Sequence, residues 1–150
     1  MIKRKYAVLL ALVLIGVGIG SLILYREEFL VPHRKKITDF ASLTDSLEAA
    51  GATVRPSGEL TLPFFSVKAQ VIIVNEEHPV MVFEYADEAS ADAEAALISP
   101  DGSSIGTAKP AWGSTPHFYK AGRLIVLYVG DNNDMIELLE SLLGPQFAGG

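Results

Sequence analysis

The spacing of apolar positions divides the chain into two unlike parts. From Ala7 to Leu24 the sequence reads AVLLALVLIGVGIGSLIL, with Ser21 as its only polar side chain. As a helix this run would be about 27 Å long, close to the ~30 Å hydrocarbon core of a bilayer. A helix on a soluble core would show a polar stripe, and this one has none. The pattern predicts one N-terminal transmembrane helix, with residues 1–25 as a membrane anchor bracketed by Tyr6 and Tyr25. Residues 26–37, REEFLVPHRKKI, read as a charged juxtamembrane linker broken by Pro32.

Beyond the linker the periods are those of a folded domain, residues 38–150. Phe40, Leu43, Leu47 and Ala50 recur at helical spacing and Gly51 is the expected C′ residue, which predicts a helix from Asp39 to Ala50. The stretch ATVRPSGELTLPFF carries two prolines and reads as irregular edge structure. Val67–Val74 and Val80–Tyr85 are rich in β-branched and aromatic residues and predict a hairpin over the loop Asn75–Pro79. Asp87 caps a second helix, expected to lay Ala89, Ala93, Ala96 and Leu97 on the sheet. A second hairpin pairs Pro116–Tyr119 with Leu124–Val129 through a turn at Gly122. Its return strand, LIVLYV, has no polar position and so belongs at the centre of a sheet, buried on both faces. Asp131, with Asp134 three residues on, is expected to cap a last helix that buries Met135, Leu138, Leu139 and Leu142 before Gly144-Pro145. The order α-β-β-α-β-β-α predicts an α+β fold, a two-layer sandwich of an antiparallel sheet with helices on one face.

Charge sharpens the division. Residues 1–36 carry seven basic and two acidic side chains, net +5, whereas residues 37–150 carry five basic and sixteen acidic ones, net −11. So acidic a body repels phosphate backbones, and no nucleic acid is expected as a partner. The chain has no cysteine, which removes disulfides, cysteine-ligated metals and thiol chemistry. The same absence removes lipid attachment at a cysteine. Lys3, Arg4 and Lys5 abut the apolar run, and Arg26, Arg34, Lys35 and Lys36 follow it. The first cluster is the tighter, which favours a cytoplasmic N-terminus, an extracytoplasmic acidic domain and single-pass placement in the cell membrane. A cleaved signal peptide ending at Gly18-Ile19-Gly20 is the alternative, although Leu22-Ile23-Leu24 continue the apolar run past that point. Gly16 and Gly20 form a GxxxG pair, a possible helix-dimer face.

The candidate chemistry is sparse. His33 lies in the linker. His78 follows Glu76 and Glu77 in a hairpin loop, a set that could hold a divalent cation but reads better as a solvated tip. His117 opens a strand and reads as a packed imidazole rather than a general base, because no acid partner is evident. Asp131-Asn132-Asn133-Asp134 lacks the progression of a calcium loop. Ser103, Ser104 and Ser114 lie in neither a nucleophile elbow nor an S-x-x-K pair. No catalytic or metal residue is assigned and no cofactor is expected. The one segment longer than a connection requires is Ile98–Thr115, which holds Ile105 and Trp112, the only tryptophan, and leads into His117. Two readings stand for it: a lid that tucks Ile105 and Trp112 onto the sheet, or an interaction loop.

The phrases FFSVKAQVIIVNEEHPVMVFEYADEASADAEAALISPDGSSIG, HFYKAGRLIVLYVGDN and LLGPQFAGG resemble small bacterial envelope domains that follow a lipoprotein signal or a single membrane anchor. The resemblance spans Asp39 to Gly150 and implies a location, not an activity. The expectation is a single-pass membrane protein held in the lipid bilayer by residues 7–24. Its extracytoplasmic domain would be a non-catalytic module that binds an envelope protein or small ligand. Its rivals are a metal-dependent or hydrolytic envelope enzyme using His117, and a structural subunit that dimerises through Gly16 and Gly20.

Overall fold

The computed structural model describes residues 36–150. The expected anchor, Gly16, Gly20, His33 and the linker up to residue 35 lie outside the described residues. Ile37, which the sequence places at the end of the linker, is buried among the core residues of the domain.

The first helix, α1 (Phe40–Ala49), starts where Asp39 and Ser42 satisfy each other's backbone. The Asp39 carboxylate accepts the Ser42 N–H at 2.8 Å, and Ser42 Oγ accepts the Asp39 N–H at 3.1 Å. The strands β1 (Val54–Leu60), β2 (Ala69–Val74) and β3 (His78–Glu84) follow as an antiparallel meander. A short helix α2 (Glu88–Ala95) leads through the long loop to the hairpin of β4 (Pro116–Ala121) and β5 (Leu124–Val129). Helix α3 (Asn133–Leu143) precedes a two-residue strand β6 (Ala148–Gly149). The result is an α+β fold with a six-stranded antiparallel sheet in the order β1-β2-β3-β5-β4-β6. Among the described residues no helix is long and apolar enough to cross a membrane.

The helices do not share one face, which corrects the two-layer expectation. Leu43 and Leu47 of α1 and Met135 and Leu139 of α3 pack with Val80, Val82, Leu124, Val126 and Tyr128. Ala91 of α2 packs instead with Phe83, Ile125, Leu127, Phe118 and the loop residues Ile98 and Ile105. Successive residues of β5 therefore serve opposite cores, as the period of two requires. Its unbroken apolar run is explained by burial on both sides.

Local details differ in instructive ways. The stretch read as irregular edge structure contains β1, an edge strand that tolerates Pro56 because one side of it faces no neighbour, with a register shift between Pro56 and Gly58. Pro79 lies inside β3 rather than in the loop; β5 pairs with β3 only from Val80, so Pro79 has a neighbour on one side alone. On α2 the expected face of Ala89, Ala93, Ala96 and Leu97 is exposed, and Ala91 is buried. Alanine at every second position spreads small groups around that helix, so periodicity cannot set its phase. Lys120 of β4 can, by pairing with Asp92 at 2.6 Å. The cap of α3 is Asn132, whose Oδ1 accepts the Met135 N–H at 3.0 Å; Asp131 is engaged by Ser114 instead. Gly122 turns the β4–β5 hairpin with φ of 54°, and a Cβ there would lie 2.6 Å from Thr38 Cα.

Candidate functional site

The long loop is built on its own hydrogen bonds. Ile98 and Ile105 form an antiparallel bridge, as do Ile105 and Ala108. Within that bridge the Asp101 Oδ1 accepts Ser99 Oγ at 2.6 Å, Ser103 Oγ at 2.8 Å and the Ser103 N–H at 3.0 Å. These donors, the Ser99 hydroxyl first, hold the exposed Asp101 carboxyl at a pKa of about 2. Ile98 and Ile105 are buried in the second core, so the apolar residue singled out as an interaction candidate faces inward.

Trp112 is half-buried. Its indole N–H donates to the Gly102 carbonyl at 2.8 Å, and its ring meets those of Phe64 and Phe118 edge-on, each at 6.0 Å between centroids. Phe118 in turn touches Phe147 at 6.2 Å. Four rings, Phe64, Trp112, Phe118 and Phe147, thus run in a row across the loop-covered face. Phe118 is the buried member of the row, whereas Phe147 keeps 38% of its surface exposed. The Ser114 hydroxyl donates to the Asp131 carboxylate, tying the end of the loop to the turn after β5. That bond, followed by one from Thr115 and the charge of His117, lowers the pKa of Asp131.

His117 is almost wholly buried. It is 5% exposed, stacks on Tyr128 at 6.0 Å, and presents Nε2 to the Gly130 carbonyl at 3.0 Å and Nδ1 to Gln146 Oε1 at 2.7 Å. His78, at the start of β3, meets Tyr128 edge-on at 6.1 Å. Glu76 and Glu77 are exposed on the β2–β3 turn. Among the described residues no three of His, Asp or Glu are placed to hold a metal ion, and nothing gives positive evidence of catalysis.

Two residues of this region escaped the sequence reading. Phe64 sits in a Pro-containing stretch, and Phe147 follows the helix-ending Gly144-Pro145; neither belongs to a periodic segment. Compared with known proteins, the chain matches no family model, no curated protein and no solved structure.

Proposed function

We propose that the chain is a membrane-tethered, non-catalytic binding module whose contact surface is formed by Phe64, Trp112 and Phe147 around the buried Phe118. The observation that carries this reading is the row itself, three of whose rings, Phe64, Trp112 and Phe147, are left partly in water along the face that a loop rather than a long helix covers. Aromatic side chains supply much of the apolar area in recognition surfaces. The partner this surface suits is a protein. Small-molecule sites are concave, and the shallow cleft of about 400 Å³ lined by Thr53, Val54, Arg55, Ile73 and Glu76 shares no residue with the row. The acidic body, net −11 over residues 37–150, favours a partner patch rimmed with Lys and Arg. The tether is the apolar run of residues 7–24, with the domain on the extracytoplasmic side.

The test is a photo-crosslinking amino acid placed in intact cells at position 147 or, as a control of similar exposure, at position 60, where Leu60 is 41% exposed. A discrete adduct from position 147 alone, weakened by added salt, is the expected result. Equal adducts from both positions, or none from 147, would overturn the surface. Protease added to intact spheroplasts should digest the domain; protection until lysis would overturn its placement.

A further inference from the structure

The two faces of the sheet are unequally covered. On the first, Ile72, Val74, Val80 and Val82 are at most 1% exposed. On the second, the period of two sets Val71 and Ile73 beside Ala69, and the register sets them opposite Met81 and Pro79. Val71, Ile73 and Met81 are only half-buried, Pro79 is exposed, and Val71 and Ile73 join neither core. Val129, two residues on from the Leu127 that faces Met81, is half-buried as well. Ala91 of α2 and Phe65 cover only the other end of these strands, at Ala69, Phe83 and Ile125.

Sequence and cover disagree along this strip. A sheet face that meets water alternates polar residues into it, yet Val71–Val74 has no polar position. An apolar strip with a polar rim marks a surface that is covered in use. Ile73 also forms a wall of the cleft that Val54, Arg55 and Glu76 line, so the strip ends in a concavity. The rim is acidic: Glu76 and Glu77 are exposed on the turn beyond Ile73, and exposed Asp131 follows Val129 by two residues. Arg55, opposite Ile73, is a cation on that rim, and the carboxylates outnumber it.

We propose that Val71, Ile73, Pro79, Met81 and Val129 are a docking strip for a protein segment whose apolar side chains are flanked by Lys or Arg, one of the apolar groups entering the cleft at Ile73. Charge argues against a second copy, which would set two carboxylate rims and two bodies of net −11 against each other. The inference rests on the reading of the loop-covered face as the recognition surface. Met81 and Val129 pack against the same core as Phe64 and Trp112, so a partner seated on the rings continues onto the strip.

The test titrates the full chain in lipid nanodiscs, methyl-labelled at Ile, Leu, Val and Met, with a short capped peptide of alternating lysine and leucine. The methyls of Val71, Ile73 and Met81 should shift and saturate while those of Leu47 stay still. A glutamate-leucine counterpart should bind about tenfold more weakly or worse. Ile73→Thr, which keeps the β-branch that a strand favours, should weaken the lysine peptide roughly threefold to tenfold, and Leu60→Thr should not. Glu76→Gln should weaken it about twofold to fivefold. Still strip methyls beside a shifting Trp112 indole and Phe147 amide would overturn the strip and leave the ring surface standing. Silence at all of them would overturn the strip, while the adduct at position 147 decides the rings separately. Equal binding of the two peptides would overturn the basic partner. Strip shifts that follow protein concentration without peptide, or broadening by a spin-labelled lipid in the disc, would assign the strip to a second copy or to the bilayer and overturn the proposal equally.

Discussion

The two faces of the sheet solve the same problem by different means. On one, α1 and α3 bring long aliphatic side chains at helical spacing onto alternate residues of β3 and β5. On the other, α2 contributes one fully buried alanine, and the cover is completed by a loop folded on Ile98, Ile105 and a row of rings. Helix-on-sheet packing depends on area removed from water spread over two elements. The loop depends on particular hydrogen bonds, those of Asp101 and of the Trp112 indole. The first arrangement tolerates change at its rim, and the second carries its exposed surface next to the bonds that hold it. That contrast is what the proposal of a recognition surface on the loop-covered face rests on.

The largest expected effect is on the first face. Leu139→Ala removes a fully buried side chain between α3 and the sheet and should cost about 2–5 kcal/mol, read as a loss of cooperative stability in urea. On the second face Trp112→Ala should cost about 2 kcal/mol. Its exchange signature should be local, with residues 98–115 losing protection while β3 and β5 keep theirs. Equal loss across the sheet would erase the distinction between the faces.

A finer comparison comes from two tyrosines, one per core. Tyr119 in the first and Tyr85 in the second are buried with hydroxyls that have no partner. Tyr119→Phe and Tyr85→Phe should each leave stability unchanged or raise it by up to about 1 kcal/mol, measured by thermal melt. Burial, then the charge of Glu140, pushes the Tyr119 hydroxyl up from its ordinary 10.0 to a pKa of about 12, and burial followed by Glu94 raises Tyr85. Each folded value lies above the unfolded one, so both hydroxyls are neutral in either state below pH 10. Above it the unfolded chain ionises first and stability falls as pH climbs toward 12; the Phe variants should blunt that alkaline loss.

The smallest effect is at the acid end. Asp101 has a folded pKa of about 2 against the ordinary 3.8 of the unfolded chain, so its contribution is present above 3.8 and fades as pH falls toward 2. Exchange at Ser103 and Ser104 should quicken over that interval without change at Leu47. A uniform acid response would remove the loop's separate standing.

How much of this could be read beforehand follows from periodicity. Leu43, Leu47, Met135 and Leu139 announced α1 and α3, and β5 announced its double burial through LIVLYV. That run already implied cover on both faces, which the two-layer reading left unused. The alanine-rich α2 had no phase to read. Pro56 pointed to the sheet edge, where β1 lies, but not to the length of that strand. The row of rings joins Phe64, Trp112, Phe118 and Phe147 from four separate segments, and the meeting of Gln146 with His117 spans 29 positions. Such juxtapositions are products of topology, and local pattern carries no trace of them.

The close approach of Gly122 to Thr38 has a mechanical meaning. The Arg123 N–H donates to the Thr38 carbonyl at 3.1 Å, while Glu84 accepts from both the Phe40 N–H and the Arg123 guanidinium. The chain thus joins the domain beside the β4–β5 turn and the end of β3. A pull on the amino-terminal side would be delivered to strands in the middle of the sheet rather than to β1 at its rim. Force applied there loads several hydrogen-bonded strands together instead of peeling one away.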